Sequence, residues 1–89
     1  MVWTTTREEL RAYWQRLPPD SAVGRTRSLR RCPLACYLAR QRRSLKAALE
    51  RGDAPEWVYR YMRQLDLAPG PVTAGRALAV LNLIDALER

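Results

Sequence analysis

Residues 21–49 read SAVGRTRSLRRCPLACYLARQRRSLKAAL, and the fold turns on how this stretch is parsed. Pro33 suits the first position of a helix, where its missing N–H costs nothing, with Cys32 as a weak cap before it. On a wheel of about 100° per residue, Leu34, Tyr37, Leu38, Leu45, Ala48 and Leu49 share one face. The spacing predicts one helix over 33–50. Gln41 interrupts its apolar face. For residues 44–49 a short extended segment is the alternative, although Ala, Leu, Lys and Glu favour helix.

The same stretch carries Arg25, Arg27, Arg30, Arg31, Arg40, Arg42, Arg43 and Lys46, and no acid. It holds 8 of the chain's 16 basic residues; the remaining residues hold 8 basic and 9 acidic groups, so the formal charge of +7 originates here. Arg40, Arg43 and Lys46 fall opposite the apolar face, with Arg42 at its border. The other four arginines lie at the end of a long loop, 18–32, where Pro18-Pro19-Asp20-Ser21 and Gly24 are turn residues. Loops of this length are uncommon in compact domains and are often functional. The excess of Arg over Lys has two readings, a preference for the planar fork that suits phosphate or a GC-rich codon bias. Codon bias does not explain why acids vanish from 21–49, so the clustering is the informative feature.

Toward the N terminus, Thr5 with Glu8, or Thr6 with Glu9, has capping-box spacing. Leu10, Tyr13, Trp14 and Leu17 follow at i, i+3, i+4, i+7, and Pro18-Pro19 stops the helix. This predicts a first helix over 4–17, with Arg7, Arg11 and Arg16 solvated. Toward the C terminus, Gly52 ends the second helix, and Asp53-Ala54-Pro55-Glu56 starts a third over 55–66. Trp57, Val58, Tyr61, Met62 and Leu65 form its buried stripe, leaving Tyr59, Arg60, Arg63 and Gln64 outside. Ala68-Pro69-Gly70-Pro71 is a rigid break. Thr73 caps a last helix over 73–88, where Ala74, Ala77, Leu78, Val80, Leu81, Ile84 and Leu87 cover about half the circumference. A helix this apolar is central, or has a partner on its second side, such as another copy of the chain.

These elements predict an all-α fold, a small bundle of four helices in a single domain, 1–89, consistent with 89 residues. The start of the chain lacks a basic, apolar leader, and no stretch reaches the ~18–20 apolar residues of a membrane span. The expected location is cytoplasmic, away from membranes.

The ordered residues Trp14, Leu17-Pro18, Val23-Gly24, Cys32-Pro33-Leu34-Ala35, Tyr37-Leu38, Pro55, Trp57, Asp66, Thr73-Ala74 and Ala77-Leu78 resemble a group of small bacterial and phage-type reading frames. The resemblance implies a prokaryotic or mobile-element setting and carries over no functional residues.

The function expected from the residues is binding through the basic surface. Nucleic acid, DNA or RNA, is the first candidate. Arg25, Arg27, Arg30, Arg31, Arg40, Arg42, Arg43 and Lys46 would contact phosphates, and Tyr59, Arg60, Arg63 and Gln64 would form a secondary contact face. An acidic protein surface, of the kind a phage-type modulator of a host complex would engage, is the alternative. The chain has no His, so Ser-His and Cys-His pairs are excluded, and no enzyme activity or cofactor is expected. Cys32 and Cys36 are the only thiols, too few for a zinc site without a second copy or carboxylates. Their expected role is structural, with a reactive thiol at a helix start as the alternative.

Overall fold

Thr6 starts the first helix. Its Oγ1 accepts from the Glu9 amide at 3.1 Å, and α1 runs Arg7–Gln15, shorter than the expected 4–17. The reciprocal half of the capping box does not form, because the Glu9 carboxylate accepts from the Tyr37 hydroxyl instead. The computed structural model describes residues 3–88; Met1, Val2 and Arg89, and with them the first residues of the leader reading, lie outside the described residues. The elements after α1 are β1 (Ala22–Arg25), α2 (Pro33–Arg40), α3 (Leu45–Arg51), α4 (Glu56–Asp66), β2 (Pro71–Thr73) and α5 (Ala74–Leu87).

The single helix expected over 33–50 is two. Arg42 takes a left-handed conformation with φ 59°, and the Arg43 amide donates back to the Leu38 carbonyl at 2.9 Å. Ser44 then caps a new helix, its Oγ accepting from the Ala47 amide at 3.2 Å. Ser competes well for a free backbone amide at such a position. The break also leaves Gln41 exposed while Leu45 and Ala48 return to the core, which an unbroken helix would not allow. At the other end of α2, Cys32 caps as read, its Sγ accepting from the Ala35 amide at 3.4 Å.

The fold is also not all-α. Among the described residues there are five helices and a two-stranded antiparallel sheet. Ala22 pairs with Thr73, Gly24 with Val72 and Arg25 with Pro71, with an irregularity between Ala22 and Gly24. The strands are too short to show a period of two, and their partner lies some fifty positions away, so only tertiary pairing defines them. Gly24 makes the arrangement fit. A Cβ there would lie 2.4 Å from the Arg31 carbonyl oxygen and 2.7 Å from the Pro33 nitrogen, so only glycine lets β1 rest on the start of α2.

Gly52 ends α3 at φ 71°, the left-handed stop expected of it. Asp53 does not cap α4. Its carboxylate accepts from Arg51 Nε at 2.8 Å, and Pro55 occupies the cap position without a side-chain bond. Thr73 does cap α5, accepting from the Arg76 amide at 3.2 Å. Arg76 reaches back to donate to the Leu65 carbonyl at 2.7 Å and to the Ala68 carbonyl, closing the end of α4.

The core gathers Leu10 and Trp14 from α1, Leu34 and Leu38 from α2, Tyr61 and Leu65 from α4, and Leu81 and Ile84 from α5. Trp14 stacks on Tyr61 at 5.8 Å, and the Tyr61 hydroxyl donates to the Ala77 carbonyl at 3.0 Å. Burial pushes Tyr61 ionisation well above its ordinary range. The helix α5 lies against both α1 and α4. Leu87, expected in its covered stripe, is 64% exposed, and Leu83 is 44% exposed. Arg7 and Arg11 are not solvated as expected. Arg7 pairs with Asp85 at 3.0 Å and with Glu88, and Arg11 pairs with Asp85, all across the seam between α1 and α5. No helix among the described residues is long and apolar enough to cross a membrane.

Candidate functional site

The eight cations of residues 21–49 occupy the two ends of α2, roughly 10 Å apart along its axis at ~1.5 Å per residue. At the N-terminal end the backbone of 25–31 folds into a tight loop. The Arg25 amide donates to the Arg31 carbonyl at 2.7 Å, and Ser28 Oγ accepts from the amides of Arg30 at 3.3 Å and Arg31 at 3.0 Å. Arg27 sits at φ 56° and donates its amide to Asp66 at 2.9 Å, while Gly70 donates to Thr26 Oγ1 at 2.8 Å. The loop is therefore fastened to Asp66 at the end of α4 and to Gly70 before β2, and the amides of Arg25, Thr26, Arg27, Arg30 and Arg31 all have acceptors. That frees Arg25, Arg27, Arg30 and Arg31 to present exposed side chains on one small loop.

At the C-terminal end, Arg40, Arg42, Arg43 and Lys46 surround the turn between α2 and α3. The Arg40 guanidinium lies 5.2 Å from the centre of the Tyr13 ring, which itself meets Tyr37 edge-on at 5.0 Å. Arg43 is half-buried and donates to Thr4 Oγ1, whereas Arg42 is exposed. Lys46 pairs with Glu50 at 3.8 Å across an exposed helix turn. Among the described residues none of the other seven forms an ion pair. The structure thus brings the sequence-predicted cations together as two clusters rather than one continuous face.

The secondary face is less cationic than its sequence suggested. Tyr59 is 44% exposed and Arg63 is exposed, with Gln64 half-buried. Arg60 pairs with Glu56 at 2.9 Å and with Glu88 at 3.6 Å, so its charge is largely neutralised. Arg60, Arg63 and Gln64 border a groove shared with Ile84 and Leu87.

Burial pushes the Cys32 thiol up to about 11 and raises Cys36 as well. Cys36 Sγ donates to the Arg31 carbonyl at 3.4 Å. Burial outweighs the helix start and Arg31, so neither cysteine is a thiolate at neutral pH. Asp66 accepts from the Arg27 amide, and Asp85 is paired with Arg7 and Arg11. Among the described residues no group of three or more His, Cys, Asp or Glu is placed to hold a metal ion.

Two further features lie near the C-terminal cluster. Tyr13 packs against the core, as its place in the α1 stripe predicts, and its ring also faces the Arg40 guanidinium. Trp3 and Thr5 border a cleft of about 230 Å3 against the α2–α3 turn and α3. Thr5 read only as an alternative cap, and nothing local marked it for a cleft wall. Comparison with protein-family models, with curated proteins and with solved structures found no match.

Proposed function

We propose that the chain is a non-enzymatic binding module that engages nucleic acid through phosphate contacts at the two ends of α2. The observation that supports it is the clustering of seven cations, Arg25, Arg27, Arg30, Arg31, Arg40, Arg42 and Arg43, around α2 without an ion-pair partner among the described residues, whereas Arg7, Arg11, Arg51 and Arg60 elsewhere are paired and the unpaired Arg16, Arg63 and Arg76 lie apart in the sequence. Lys46 is the eighth member, held only by an exposed, weak pair. Cations without acids project a field outward, attract a polyanion and bind it by releasing its counterions. The roughly 10 Å between the clusters spans more than one phosphate along a strand, whose spacing is about 3.4 Å per nucleotide in a duplex. Tyr59, Arg63 and Gln64 remain a secondary contact face, with Arg60 a weaker member because Glu56 and Glu88 already hold it.

An acidic protein partner is the second reading, and Leu29 favours it. Leu29 is 41% exposed in the middle of the arginine loop, where a phosphate backbone would offer it nothing apolar to cover. The test is fluorescence anisotropy against single-stranded DNA, RNA and duplex DNA at low salt. Saturable binding weakened by Arg30→Glu but not by Leu29→Ser supports nucleic acid. No binding to any of the three removes that reading, and a Leu29-dependent pull-down then establishes the protein one.

A further inference from the structure

The cleft against the α2–α3 turn shares Arg42 and Arg43 with the proposed phosphate-binding surface and adds features that the surface does not use. Its apolar wall is made by Trp3, Leu38 and Ala48, with Trp3 braced edge-on against Trp57 at 6.3 Å. Its rim carries Arg42, Arg43 and Arg51, and one carboxylate, Asp53. Asp53 is committed to Arg51 at 2.8 Å, so the rim keeps an excess of two positive charges at Arg42 and Arg43.

Thr5 supplies an independent observation. It lines the cleft and is 3% exposed, and its Oγ1 is buried without a hydrogen-bond partner among the described residues. Buried hydroxyls are nearly always satisfied, because leaving one unmade forfeits its hydration for nothing. A valine would fill the same space without that cost. An orphaned hydroxyl lining the same cleft as two guanidinium groups without an ion-pair partner and an apolar wall suits an oxyanion on a flat apolar body.

We infer that this cleft binds a small oxyanion carried on a planar apolar body, with Arg42 and Arg43 holding the phosphate or carboxylate, Thr5 Oγ1 donating to it, and Trp3 covering the body. The inference does not rest on nucleic-acid binding, since a chain that binds no strand still presents the cleft. Nor does the nucleic-acid reading rest on Thr5, which lies outside both cation clusters.

The test is titration of the isotopically labelled protein with adenosine 5′-monophosphate and, separately, with 2-naphthoate, followed by amide chemical shifts. The expected result is saturation on the order of 100 µM by one of them, with shifts centred on Thr5, Arg42, Arg43 and Ala47. Saturation by the nucleotide assigns a phosphate ligand, and saturation by the naphthoate alone assigns a carboxylate. Thr5→Val should weaken that binding about tenfold while its melting temperature stays level or rises. Arg42→Ala should weaken it as well. No saturable shift with either probe overturns the inference, and so does a folded Thr5→Val chain that binds as tightly as the parent.

Discussion

Arg7 and Arg11 on α1 face Asp85 and Glu88 across the seam with α5, half-buried and matched charge for charge. Arg25, Arg30, Arg31 and Arg42 stand exposed at the ends of α2 with no carboxylate in reach among the described residues. One residue type does two kinds of work. In the seam the guanidinium groups join two helices, and the Glu88 hydrogen bond raises the Arg7 pKa above its ordinary value. Around α2 the loop is held by backbone bonds and by Ser28 and Asp66, and of the arginine side chains there only Arg43, on Thr4, and Arg40, over Tyr13, make a contact of their own, so on the proposed function the charges would be open to a partner. Stability and binding should therefore separate cleanly between the two regions.

The largest expected effect breaks the binding side alone. Reversing Arg40, Arg43 and Lys46 together to Glu should lower affinity for a nucleic-acid probe about 100-fold or more. Denaturant unfolding should shift by no more than about 1 kcal/mol, because each group is exposed or only partly buried. Next comes Gly24→Ala, which places a methyl inside contact distance of the Arg31 backbone. It should cost about 2–3 kcal/mol of unfolding free energy, measured in urea, and should disturb the arginine loop along with the fold. Asp85→Asn should cost about 1 kcal/mol in the same measurement and leave probe affinity unchanged. A loss of affinity there would show that the seam and the surface are not independent. The smallest effect belongs to Arg42→Gly. Relief of the left-handed backbone at φ 59° should stabilise the chain by about 0.5 kcal/mol while weakening the probe about threefold.

Alkaline pH offers a further separation. Cys32 and Tyr37 are pushed up to about 11 and about 12, Cys32 by burial, Tyr37 by burial and the Glu9 carboxylate beside its hydroxyl. Groups raised above their unfolded values favour the protonated fold, so their contribution is intact below about pH 9 and is lost as pH rises toward 12. Thermal unfolding across that window should show the decline, and Tyr37→Phe should flatten its upper part.

Much of this fold was legible because its signals are local. Thr6, Thr73 and Gly52 stop and start helices where their chemistry says they should, and the stripes on α1 and α4 face the core. The break at Arg42 is marked in the sequence by Gln41 on an apolar face and by the alternative of a separate segment over 44–49. Without a Gly or Pro there, nothing marked the left-handed turn. The sheet was invisible because strands of four and three residues carry no period, and because the fit at Gly24 depends on where α2 begins. Of the eight cations seven are exposed, as their place off the apolar face suggests, and Arg43 is half-buried. That they divide into two clusters follows from the loop's hydrogen bonds to Ser28 and Asp66, which no spacing rule reveals. The engagement of Arg7 and Arg11 by Asp85 spans the length of the chain and was equally hidden.

The most direct measurement is the slope of log affinity against log salt for a single-stranded probe, compared between the parent chain and the Arg40, Arg43 and Lys46 triple Glu variant. Each lost phosphate contact removes about 0.7 from the slope, so the variant should be shallower by about 2 or more. Equal slopes, with the variant still folded, would contradict a phosphate-binding surface at the end of α2.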